Sequence, residues 1–65
     1  PLTSAEAEAL THAESALRLR ADRLRHDAAT VDSDARELLD AAATQCERSA
    51  HVIATLLRGH ATDET

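Results

Sequence analysis

An apolar residue recurs at every seventh position along this chain: Leu10, Leu17, Leu24, Val31 and Leu38, followed at the same interval by Gln45 and Val52. A small residue stands three before or four after most of them, at Ala7, Ala21, Ala28, Ala35, Ala42 and Ser49. Side chains seven apart share one slowly drifting stripe of an α-helix, the kind of seam along which a second helix packs. Alanine across from leucine lets two helix backbones come close together. The composition, rich in Ala and Arg with no Lys and no aromatic residue, is also what a GC-rich bacterial genome encodes. Five consecutive apolar positions in one register exceed what that bias explains. The pattern predicts an all-α fold of coiled-coil type.

The helix signals divide the spine into two arms. Thr3-Ser4-Ala5-Glu6 has the form of a capping box, with Leu2 placed as a staple residue before it. From Ser4 to Ala29 the chain has no Gly and no Pro, and strong helix formers dominate. Thr30-Val31-Asp32-Ser33-Asp34 is a run of poor helix formers, whose Asp and Ser side chains compete for backbone groups. Asp34-Ala35-Arg36-Glu37 resembles a second capping box, and Gly59 follows Arg58 where a left-handed C-cap residue belongs. These signals predict a helix over about 4–29, a turn over about 30–33, a second helix over about 33–58 and a frayed tail over 59–65. The unbroken heptad through Leu24, Val31 and Leu38 also suits one long helix in an antiparallel dimer, the domain-swapped counterpart. The weak propensity at residues 30–34 favours the hairpin. Folding the chain about residues 31–32 sets Arg23 opposite Asp40, Arg25 and His26 opposite Glu37, Arg18 opposite Glu47, Glu14 opposite Arg48 and Glu6 opposite Arg58.

A chain of 65 residues is a single small domain, 1–65. Without aromatic residues or Met its core must be Leu, Val, Ile and Ala. Two helices of that composition bury too little to offset an ordering cost of roughly 1.5 kcal/mol per residue. A partner is therefore expected, and a homodimer forming a four-helix bundle is the simplest one. The second arm has the width for it. Beside the main stripe, Leu39, Cys46 and Ile53 repeat by seven, with Ala43, Ala50 and Leu57 beyond. A wide apolar arc can serve two neighbours. Leu10, Leu17, Leu24, Leu38, Val52 and Leu56 are assigned to the seam within the hairpin. Leu39, Cys46, Ile53 and Leu57 are assigned to the interface with a second copy or another protein. Gln45 is expected as an isolated polar residue fixing register inside the seam.

Charge and composition exclude several classes. A net charge of −5 argues against nucleic acid as partner, since such a module needs a basic face. No apolar run approaches the roughly 20 residues of a membrane span, and no secretory pattern is visible. The single Cys46 forms no internal disulfide, which fits a cytoplasmic protein. Glu8 with His12, and Glu47 with His51, are each one helical turn apart, a spacing that can hold a metal. Their outer heptad positions favour solvated helix pairs instead, so neither metal nor cofactor is expected. No nucleophile elbow, phosphate loop or pair of zinc-spaced cysteines is present, and catalysis needs a concave, water-excluding site. The chain is read as non-enzymatic.

One echo points elsewhere. Ser15-x2-Arg18-x3-Asp22 recurs as Ser33-x2-Arg36-x3-Asp40. This resembles the repeated E-x3-S-x2-R-x3-Q-x3-D motif on the antiparallel helices of an actinobacterial anti-sigma factor that binds cyclic di-GMP. Thr11 and Ala29 stand in place of its Glu, Asp22 and Asp40 in place of its Gln, and His26 and Thr44 in place of its Asp. The resemblance implies a small-ligand sensor whose Ser15, Arg18, Ser33 and Arg36 grip a phosphate-bearing ligand. The two-arm shape is also similar to the small helical hairpins of the type VII (WXG100) class, although the Trp-x-Gly turn and a tyrosine-based export signal are missing. The stretch from Val31 to Leu39 resembles the opening of a helical chorismate mutase, with Gln45 where an arginine is required and no Lys for the catalytic position. The leading expectation is a self-associating regulatory or adaptor module that works through protein–protein contacts.

Overall fold

A computed structural model describes residues 2–63 and consists of two packed α-helices, α1 Ser4–Ala28 and α2 Ser33–Asp63. They form an antiparallel hairpin measuring 49 × 14 × 12 Å. The all-α hairpin read from the sequence is the fold, and the long-helix alternative is not adopted.

Both helix starts are side-chain capped. The Thr3 hydroxyl accepts from the Glu6 N–H at 3.1 Å, and the Glu6 carboxylate accepts from the Thr3 N–H at 2.9 Å, so the first capping box forms as expected. At α2 the cap is Asp32, two residues before the expected Asp34. Its carboxylate accepts from the Ala35 N–H at 2.9 Å, and its carbonyl accepts the first helical bond from the Arg36 N–H at 2.8 Å.

The connection also satisfies the last carbonyls of α1, which a helix end leaves without partners. The Thr30 N–H and hydroxyl both donate to the Asp27 carbonyl, at 3.1 and 2.9 Å. Arg36 reaches back across the turn, its Nε donating to the Ala28 carbonyl at 3.0 Å and its Nη2 to the Val31 carbonyl at 3.3 Å.

The far end departs from expectation. Gly59 does not terminate α2, which continues to Asp63 with no residue at positive φ. The expected tail is thus helical over 59–63, and residues 64 and 65 lie outside the described residues. A single glycine costs a helix only roughly 1 kcal/mol, and the left-handed conformation that would make Gly59 a stop is not adopted.

The turn also shifts the phase between the arms. The fully buried residues are Ala21, Ala28, Ala43 and Ala50, each at most 2% exposed. Leu10, Leu17 and Leu24 of α1 and Leu39, Cys46, Ile53 and Leu57 of α2 are half-buried. Leu38, Val52 and Leu56 are 75%, 58% and 53% exposed, and Gln45 is exposed with them. The two stripes of α2 are therefore exchanged relative to the sequence reading. The stripe through Leu39, Cys46, Ile53 and Leu57 faces α1, and the one through Leu38, Gln45, Val52 and Leu56 is left outside. A heptad carries its phase only through continuous helix. The irregular residues between Ala28 and the Asp32 cap move the inner stripe on by one residue.

Arg25 contacts Asp40, Thr44 and Glu47, which anchors the register. Antiparallel pairing of the buried positions outward from that anchor sets Ala28 beside Leu39, Leu24 beside Ala43, Ala21 beside Cys46 and Leu17 beside Ala50. Three of these layers match a leucine with an alanine and the fourth sets Ala21 beside the small Cys46, in keeping with the alanines being the residues fully sealed. Farther along, Leu10 comes beside Leu57 and Glu14 beside Ile53.

Candidate functional site

The two flanks of α2 differ in chemistry. On one, the Arg25 guanidinium forms a bidentate pair with Glu47, Nη2 to Oε1 at 2.6 Å and Nε to Oε2 at 3.3 Å. It also donates to the Thr44 hydroxyl at 3.3 Å and lies 3.5 Å from Asp40. The hydrogen bond from Arg25 holds the Glu47 carboxyl below the usual carboxylate range, helped by the charge of Arg18. The same bond raises the Arg25 pKa. The expected charge register is corrected here. Arg25 takes Asp40 in place of Arg23, and Arg25 takes Glu47 in place of Arg18.

The other flank is apolar. Leu38, Ala42, Gln45, Ser49, Val52 and Leu56 follow one another at alternating steps of four and three residues. That spacing keeps them on one stripe, about 100° round the helix from the side packed on α1. All are exposed except Ser49, which is half-buried. On α1, the flank on this side carries Arg20, Arg23 and Asp27, all exposed.

The residues proposed to grip a ligand are not brought together. Arg18 pairs with Glu14, its Nε and Nη2 each 3.0 Å from Oε2, and so neutralises a carboxylate that the seam half-buries. Ser15 is exposed on α1, and Ser33 is the exposed first residue of α2. Arg36 is committed to the Ala28 and Val31 carbonyls. Arg18 lies ten residues before the turn and Arg36 just after it, an axial separation of roughly 15 Å at 1.5 Å per residue. The two motif copies thus sit at different levels of the hairpin.

The Glu/His pairs are also apart. Glu8 and His12 border a shallow depression with Ala5 and Ala9 on α1, whereas Glu47 and His51 border another with Thr44, Arg48 and Val52 on α2. Among the described residues no three His, Cys, Asp or Glu side chains converge in a way that could hold a metal ion. No described helix is long and apolar enough to cross a membrane.

Sequence reasoning recognised every apolar position of α2 but placed the stripes the wrong way round. A usable signal was present. Leu17 and Leu24 stand seven apart on α1, and their small counterparts at the same interval on α2 are Ala50 and Ala43, neighbours of Ile53 and Cys46. Comparison with known protein families, curated proteins and solved structures found no match for this chain.

Proposed function

We propose that this chain is a non-enzymatic helical interaction module, a small cytoplasmic regulatory or adaptor protein of a bacterium, acting through protein–protein contacts along the outer stripe of α2. The observation that carries this reading is the exposure of Leu38, Val52 and Leu56 in line on one flank, in a chain whose own seam seals only four alanines. Large side chains left in water along one helix stripe mark a contact surface more often than scattered ones do, and here Val52 and Leu56 adjoin while Leu38 stands beyond Ala42, Gln45 and Ser49. The commitment of Arg18 to Glu14 and of Arg36 to the turn weakens the ligand-sensor reading.

The test is Val52→Asp. Val52 is exposed in the hairpin, so the substitution spares the seam with α1 and lowers association, read by sedimentation equilibrium across a concentration series. If the variant and the parent have the same mass average and the same melting curve at every concentration and bind other proteins equally, the stripe is ordinary surface.

A further inference from the structure

We infer that the occupant of the outer stripe is a second copy of this chain, docked antiparallel through α2 about a two-fold axis midway between Gln45 and Ser49. This rests on the interaction-module reading above and gives it a partner and a geometry. The steps along the stripe run four, three, four, three, four, so they read the same in both directions. Reversing one α2 against another therefore brings all six positions into register at once. Leu38 meets Leu56 of the other copy, Ala42 meets Val52, and Gln45 meets Ser49. Each layer occurs twice, as a two-fold interface requires.

The chemistry of the layers matches as well as their spacing. At the ends, leucine lies on leucine. In the next layers alanine leaves room for valine, the same large-on-small rule that seals Leu24 over Ala43 inside the hairpin. At the centre, the Gln45 amide can donate to the Ser49 hydroxyl, so neither polar group is buried without a partner. Parallel pairing loses this. Alanine would then face alanine and leave a gap, while Gln45 would have only its own copy.

The placement of α1 fits the same arrangement. Its flank on this side is polar at Arg20, Arg23 and Asp27. The two α2 helices would form the centre, and the two α1 helices would lie outside them. Exposed Arg48 lies beside the axis on the solvent side, where salt screens the approach of its two copies.

Directed disulfide formation tests the orientation. Two proteins are made in a Cys46→Ala background, one with Gln45→Cys and one with Ser49→Cys, distinguished by mass. Antiparallel pairing predicts that mixing them under mild oxidation yields a heterodisulfide several-fold in excess of either homodisulfide. Parallel pairing requires the opposite, each variant linking efficiently to itself, and that result overturns the inference. A parent that stays monomeric across the concentration series also overturns it. In that case, loss of binding to a different protein in Val52→Asp would leave the interaction-module reading standing. No effect of Val52→Asp on any association would remove both.

Discussion

The two flanks of α2 hold the same backbone and carry opposite chemistry. The Arg25 flank is closed, with one guanidinium satisfied by Glu47, Thr44 and Asp40 across the helix pair. The Leu38–Leu56 flank is open, with apolar side chains facing water. Charged groups tolerate water, so the closed flank orders the hairpin's register at little energetic gain. Apolar groups gain from leaving water, at about 25 cal/mol per Å². The polar flank therefore orients the hairpin, while the apolar flank is where further stabilisation remains available.

The largest expected effect separates inner and outer stripes at adjacent residues. Ile53 is half-buried against α1 and Val52 is exposed. Ile53→Asp removes apolar burial from the seam and places a carboxylate beside Glu14, a loss of about 2 kcal/mol or more. In so small a domain that unfolds the chain at every concentration, seen as lost helical circular dichroism. Val52→Asp, the same type of change one residue earlier, spares the seam and loses less helicity than Ile53→Asp at any one concentration. Equal loss of helicity in both variants would mean that the two stripes are not distinct.

Next comes the residue that sets the phase between them. Arg36 ties the carbonyls of Ala28 and Val31 to α2. Arg36→Ala leaves two turn carbonyls to water and costs about 1 kcal/mol, measured by urea denaturation. Arg36→Lys recovers only part of this, because one ammonium cannot reproduce the two-atom reach of the guanidinium. An unchanged midpoint in Arg36→Ala would show that the turn holds its phase without the clamp.

Much of this architecture was legible in the sequence. The hairpin, the Thr3 cap and the start of α2 follow from local chemistry, namely capping residues, propensity and heptad spacing. What was not legible depended on the turn. Whether Leu38 or Leu39 continues the seam turns on one residue of helical phase, and Asp32 and Asp34 are equally good caps on composition alone. Gly59 misled for a related reason. It carries a local stop signal, but glycine ends a helix by turning left-handed, and this one stays helical. The same phase error moved the charge pairs, because Arg25 and Arg23 lie on different sides of α1.

Gly59 provides a smaller test on the open side of α2. It is helical, and a β-carbon built on it meets nothing within 4 Å. Gly59→Ala is expected to stabilise the chain by about 0.5–1 kcal/mol through helix propensity alone. A destabilised variant in thermal melts would indicate that the helix does not run through this position.

Acid titration tests the closed flank with the smallest expected effect. The Arg25 hydrogen bond lowers the Glu47 pKa below its ordinary value of 4.5. A carboxylate whose pKa falls on folding contributes stability that is fully present above its unfolded value. That contribution is lost as pH drops through the lower folded value. Glu6 behaves in the same way, held down by its bond from the Thr3 N–H. Arg25 stays charged throughout, so it adds no slope in this window. The melting temperature should therefore be flat around neutrality and decline below about pH 4.5. Glu47→Gln keeps an acceptor for Arg25 but cannot titrate, so its decline should be shallower, with the remainder due to Glu6. The apolar flank has no titrating member among Leu38, Ala42, Gln45, Ser49, Val52 and Leu56. An equal acid slope in Glu47→Gln and the parent would mean that the ion pair closing the polar flank does not persist in solution. The hairpin would then be held by its large-on-small seam alone.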